Sequence, residues 1–164
     1  MADQGSGREE SEAERLDRNL GELLQELRVA LPGVQVLFAF LLTVPFTQRF
    51  DQLTEFEEKL YFAVLLCVAL ATVLLVAPTA GHRILFRRQQ KEYLVTISNH
   101  LALVGLFLLA VSMCGAIALI SNFLFGTGAA IVSTIVMAFA FAGFWYAGPI
   151  VRRAKLPPRE PPSR

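Results

Sequence analysis

The chain has 164 residues, 54% of them hydrophobic, with a mean hydropathy of +0.51 and a formal net charge of +1. Its charges are segregated, with none in 60–77, 101–120 or 129–151, and this excludes an ordinary water-soluble domain, whose charges are spread along the chain. The two cysteines, Cys67 and Cys114, lie inside apolar runs with no CxxC or Cys/His cluster, which leaves zinc and thiol-redox chemistry without support.

Residues 1–14 are rich in Gly, Ser and Glu and carry no large apolar residue after Met1. Such a segment buries too little to offset its ordering entropy, so a disordered acidic tail is expected. It is polar, and the first apolar run begins near residue 29, so neither a cleaved signal peptide nor a lipid anchor is expected. In 15–28, Leu16, Leu20, Leu23, Leu24 and Leu27 recur at helical spacing, with Asp17, Glu22 and Glu26 mostly on the other side. The pattern predicts an amphipathic N-terminal helix lying against the bundle or the membrane surface; the alternative is a docking face for a partner helix. Its acidity argues against simple attachment to anionic lipid.

The first span is expected over 29–46, shorter than the others and carrying Gln35. Pro32-Gly33 should kink or loosen its start, and Pro45 marks its exit. Residues 47–54 form the first outer connection. Thr54 and Glu57 have the T-x-x-E spacing of a capping box, which starts helix 2 near Glu55. That sets Glu57, Glu58 and Lys59 above the hydrocarbon and Phe50, Phe56 and Tyr61 at the outer interface. Helix 2 is expected over 55–77, ending at Pro78. Residues 82–100 are basic with apolar interleaving and predict a short interfacial helix leading into helix 3, over 100–122. A tight turn at 126–128 precedes helix 4, over 129–151, whose inner half is enriched in Phe139, Phe141, Phe144, Trp145 and Tyr146. The tail, 152–164, holds four prolines and should be extended and solvated.

Each run approaches the roughly 20 residues needed to cross about 30 Å of hydrocarbon. The expected fold class is an all-α membrane protein, a four-helix up-down transmembrane bundle with an amphipathic N-terminal helix. Counting Lys and Arg on alternating sides gives 13 with the N-terminal segment, the second connection and the tail, against two on the other side. The positive-inside rule then sets both termini in the cytoplasm.

No Asp, Glu, Lys or Arg lies well inside a span, so no buried carboxylate is expected there. His100 and His82 read as rim histidines bonded to water or headgroups. Gln35, Thr43, Thr72, Ser112, Ser133 and Thr134 are weakly polar positions within spans; they suit helix packing, or alternatively the lining of a narrow path. Small residues recur every four positions: Ala63, Cys67 and Ala71 on helix 2, Ala110, Cys114 and Ala118 on helix 3, and Ala130, Thr134, Ala138 and Ala142 on helix 4. Such stripes let helices approach closely. Cys67 and Cys114 fall at similar depth and are expected on facing surfaces, as packing residues and not as a disulfide. Arg83, Arg87, Arg88 and Lys91 form a basic cluster able to bind anionic headgroups at about 1 kcal/mol each, or else serving only to fix topology. Phosphate-cradling glycine loops, Ser/His/Asp sets and carboxylate pairs are absent, so no catalytic residue, cofactor or metal is expected.

The segments ELRVALPGVQVLFAFLLTVPF (26–46), APTAGHRILFRR (77–88) and ISNHLALVG (97–105) resemble an uncharacterised family of small bacterial four-helix integral membrane proteins, over about 16–128. The resemblance implies a bacterial cell membrane and four spans. Some relatives carry a loose sodium:proton antiporter label, and no established activity comes with the family. The expected function is non-enzymatic, acting through protein or lipid partners as an accessory or scaffold subunit; the alternative is a small oligomeric transporter or channel. The expected partners are the lipid bilayer and either another membrane protein or further copies of the chain, with no nucleic acid.

Overall fold

The computed structural model of the chain describes residues 12–85, 91–148, 150 and 151. Leu, Glu, Ala and Arg, all strong helix formers, dominate the start of the first helix, α1 (Glu12–Thr43). Two 3-10 turns follow, Val44–Phe46 and Phe50–Gln52. Then come α2 (Glu55–Leu85), α3 (Lys91–Phe125) and α4 (Thr127–Phe141), the last continued by a π-helical segment, Ala142–Ala147. Among the described residues there is no strand. The fold is an all-α four-helix bundle, and each helix is long and apolar enough to cross a membrane: Glu14–Phe46, Glu55–Gly81, Leu94–Phe125 and Thr127–Ala147.

Three expectations change. The N-terminal amphipathic segment and the first span are one helix, because one buried stripe runs through both: Leu20, Leu27, Val34 and Leu41 recur every seven residues. The helix continues through Pro32, whose ring is exposed. Second, α2 does not stop at Pro78 but runs one to two turns past it. Pro78 is fully buried, and packing around the ring holds a helix that local propensity alone would end. Third, among the described residues no separate interfacial helix lies between the second and third spans. Residues 82–85 prolong α2 and 91–100 open α3, while 86–90 lie outside the described residues. The expected tails also lie outside them, 1–11 of the acidic segment and 152–164 at the other end.

At 1.5 Å per residue, α1 is about 48 Å long, α2 about 46 Å and α3 about 52 Å, all well over the roughly 30 Å of hydrocarbon. The π-extended α4 is about 31 Å long and barely exceeds it.

The chain forms two compact units. The first comprises α1 with Leu65–Leu109. Its core holds Leu20, Leu27, Val34 and Leu41 of α1, Val68, Ala71, Leu75 and Pro78 of α2, and Leu94, Ser98, Ala102 and Leu109 of α3. Here α2 and α3 run antiparallel in close contact. A Cβ added at Gly105 would stand 2.8 Å from Leu75 Cγ and 3.4 Å from the Ala71 carbonyl oxygen, and one at Gly81 would stand 3.3 Å from Leu94 Cδ1. The second unit comprises Gln52–Val64 with the chain from Ala110 onward. Its buried residues include Glu57, Tyr61, Val64, Ala110, Ser112 and Ala130. A Cβ at Gly115 would reach 2.5 Å from Val64 Cγ2. Only glycine permits such approaches without repacking.

On α2 the buried positions are 57, 61, 64, 68, 71, 75 and 78. The alternating spacing of four and three is the seam of left-handed helix packing. Gly126 makes the turn into α4 with φ +85°, a conformation that side chains with a Cβ resist. That turn is narrower than expected, since Gly128 already lies in α4.

Candidate functional site

The most connected polar cluster is in the second unit, where the start of α2 meets the end of α3. The T-x-x-E motif forms its capping box. The Thr54 backbone N–H and the Thr54 hydroxyl each donate to Glu57 Oε2 at 2.8 Å, and the Glu57 N–H donates to Thr54 Oγ1 at 3.4 Å. Capping turns the Glu57 side chain back along α2, onto the face that meets α3. There Asn122 Nδ2 donates to Glu57 Oε1 at 2.7 Å. Both carboxylate oxygens are occupied, and Glu57 is only 6% exposed. One turn further on, Tyr61 is 5% exposed.

This adds to one expectation and corrects another. Glu57, expected above the hydrocarbon, is buried within the protein, where the box and Asn122 together draw it into the helix interface. Tyr61 likewise packs inside the protein rather than at a lipid interface, while Phe56 is exposed as expected.

A second contact links α3 to α4. Ser133 Oγ lies 2.9 Å from Ser121 Oγ and 3.2 Å from the Ala130 carbonyl oxygen. Ser121 and Asn122 are neighbours in sequence, so one turn of α3 reaches two helices through hydrogen bonds. What the cluster accomplishes chemically is to tie the end of α3 to the starts of α2 and α4. Among the described residues no group of three or more His, Cys, Asp or Glu is placed to hold a metal ion.

The other singled-out residues are dispersed. Gln35 and Thr43 are exposed, and Thr43 donates to its own helix at the Phe40 carbonyl, 2.7 Å away. Thr72 does the same toward Val68 O, at 2.8 Å. Ser112 is fully buried. Thr134 Oγ1, Ser98 Oγ and Tyr146 OH are buried with no hydrogen-bond partner. His100 is exposed at the edge of its run, its Nδ1 2.8 Å from Thr96 O. His82 has its side chain outside the described residues.

Of the small-residue stripes, Ala71, Ala110 and Ala130 are buried; Cys67, Cys114, Ala118 and Thr134 are half-buried; Ala63, Ala138 and Ala142 are exposed. Cys67 and Cys114 are free thiols. Of the basic cluster, Arg87 and Arg88 lie outside the described residues, as do the side chains of Arg83 and Lys91. Sequence reasoning missed Asn122, Ser121, Gly105 and Gly115. The available signal was polar residues closing an apolar run for the first pair, and glycine inside a long apolar helix for the second.

Four helices, each long and apolar enough to cross a membrane, define a multi-pass, four-helix membrane protein. The chain belongs to the family of unknown function DUF6328, which it matches over residues 9–149. This agrees with the uncharacterised family expected from its sequence. No curated protein matches the chain, and no solved structure does.

Proposed function

We propose that this is a multi-pass protein of a bacterial cell membrane that catalyses no reaction itself and acts through protein or lipid partners as an accessory or scaffold subunit. The observation that carries this reading is α1. Residues 12–28 precede the apolar run, so about 25 Å of helix stands clear of the hydrocarbon. Leu20 and Leu27 hold that extension within the protein. Its opposite side exposes Arg15, Asp17, Arg18, Glu22 and Glu26 to water. A braced, charged helix continuous with a membrane span suits a partner on the membrane surface. The 13-to-two distribution of Lys and Arg supports cytoplasmic termini. Arg83, Arg87, Arg88 and Lys91 then fall at the cytoplasmic leaflet, where anionic headgroups attract them.

The test is purification of the full chain from its native membrane in mild detergent, followed by mass spectrometry. A stoichiometric second protein, lost when the 12–28 surface is charge-reversed, is the expected result. Recovery of the chain with no other protein, from several detergents and after cross-linking, would overturn the accessory reading.

One observation favours a second reading, a small oligomeric transporter or channel. Glu57, in the first turn of a helix able to span the membrane, is buried against Asn122, and a buried carboxylate at the mouth of a bundle can line the entrance of an ion pathway. Reconstituted vesicles that show cation flux, abolished by Glu57→Gln and reduced by Gln35→Ala, Ser133→Ala or Thr134→Ala, would favour it. Flux equal to that of empty vesicles would remove it.

A further inference from the structure

Gln35 is exposed on α1, and no described residue hydrogen-bonds its side chain. It stands six residues after Val29 and eleven before Phe46, roughly 9 Å and 16 Å along the helix from the ends of the apolar run. At that depth there is no water, and its short side chain reaches neither headgroup layer. A carboxamide has two N–H donors and an acceptor oxygen, and leaving them unpaired in hydrocarbon is expensive.

The surface around it differs from the rest of the helix. Within the apolar run, the exposed side of α1 has two edges. One carries Val29, Val36 and Phe40, bulky and suited to lipid chains. The other carries Pro32, Gln35, Ala39 and Thr43, at spacings of three, four and four, all exposed and none a large hydrophobe, with the exposed Leu42 on its flank seven residues from Gln35. The Thr43 hydroxyl is already taken up by the Phe40 carbonyl. Gln35 is therefore the polar group on this edge that no described residue satisfies, and the small Ala39 leaves room for a partner to come close.

We infer that this partner is Gln35 of a second copy, so that two chains pair through α1 about a two-fold axis normal to the membrane. Copies inserted with one topology hold Gln35 at the same depth. An isologous contact between their α1 helices then sets each carboxamide opposite itself. The group is self-complementary: each amide donates an N–H to the other's oxygen, satisfying both. A different membrane protein would need its own polar group at this depth and facing. The inference deepens the partner-based reading by naming one partner, but the pairing stands whether or not a second protein also docks on residues 12–28.

The test uses the full chain, labelled separately with donor and acceptor dyes at the C-terminus and reconstituted in phosphatidylcholine vesicles over a range of protein-to-lipid ratios. Energy transfer should fit a monomer–dimer equilibrium. Gln35→Leu should raise the apparent dissociation constant roughly five- to thirty-fold, and Gln35→Asn should recover part of the loss. Val36→Leu, on the lipid-facing edge, should leave it unchanged. Gln35 is exposed, so helicity of the Leu variant by circular dichroism should equal that of the parent. A chain that stays monomeric at every ratio overturns the pairing, as does a dimer indifferent to Gln35→Leu. A stoichiometric second protein from native membranes alongside a monomer here would sink the pairing and leave the accessory reading intact. A Gln35-dependent dimer that captures nothing else would do the reverse.

Discussion

Asn122, three residues before the end of α3, donates its side-chain N–H to the Glu57 carboxylate in the first turn of α2, across 2.7 Å. Sixty-five residues of chain separate the two. The contact joins a helix cap to a tertiary contact, since the same carboxylate accepts from Thr54 through its other oxygen.

Asn122→Leu should therefore cost about 1.5–3 kcal/mol, because it removes a bond to a charged group and leaves one carboxylate oxygen buried without a donor. Thr54→Val loses the cap and should cost about 1 kcal/mol. The two losses should not add, because both act on one carboxylate. Reversible unfolding in mixed micelles, run as a double-mutant cycle, checks this; strict additivity would mean that the cap and the cross-helix bond are independent.

Glycine approaches make a sharper steric prediction. Gly115→Ala drives a Cβ against Val64, and Gly105→Ala drives one against Leu75 and the Ala71 carbonyl. Each should destabilise by about 1–3 kcal/mol as an overpacked site. Val64→Ala should relieve the first selectively and Leu75→Ala the second. Gly21→Ala, with open space around it, should instead stabilise by about 0.5–1 kcal/mol through helix propensity. The same unfolding assay reads all five.

The N-terminal part of α1 can be tested as core. Leu20 and Leu27 are each 4% exposed, so Leu20→Ala and Leu27→Ala should cost about 2–5 kcal/mol apiece. A helix merely resting on the bilayer would lose membrane affinity and leave the stability of the spans untouched. Unfolding measured in detergent, where no bilayer surface exists, separates the two.

Buried hydroxyls should respond with opposite signs. Ser133 bonds across to Ser121, and Ser133→Ala should cost about 0.6 kcal/mol, the usual scale for such bonds between membrane helices. Ser98 is fully buried with its Oγ unpartnered. Ser98→Ala should be neutral or stabilising, since it removes a desolvated group that makes no bond. A loss on Ser98→Ala as large as that for Ser133→Ala would reveal a partner for Ser98, such as a bound water.

Much of this architecture is legible in the residues. Charge-free runs mark the four spans, and T-x-x-E marks the start of α2. The seven-residue stripe from Leu20 to Leu41 is visible too, but the change from charged to apolar surface at Val29 hides that one helix carries it. Pro78 misleads because the local rule, that proline ends a helix, yields to packing that only the tertiary structure supplies. Glu57 shows the same limit. Its capping role follows from spacing, whereas its burial depends on Asn122, sixty-five residues away. Ala63 and Cys67 suggest a small-residue face on α2, yet the buried line runs through Val64 and Val68, because the room is made by glycines on α3. Close approach needs one small partner, and sequence alone does not say which helix provides it.

That α1 crosses the membrane, giving four spans, can be checked by side-specific labelling. In a Cys67→Ser, Cys114→Ser background, single substitutions Gln25→Cys, Gln48→Cys, Thr127→Cys and Arg164→Cys would be probed with an impermeant maleimide in sealed vesicles of known orientation. Gln25 and Arg164 should label from one side, and Gln48 and Thr127 from the other. If Gln25 and Gln48 label from the same side, α1 does not cross, and both the four-span fold and the pairing through Gln35 fall with it.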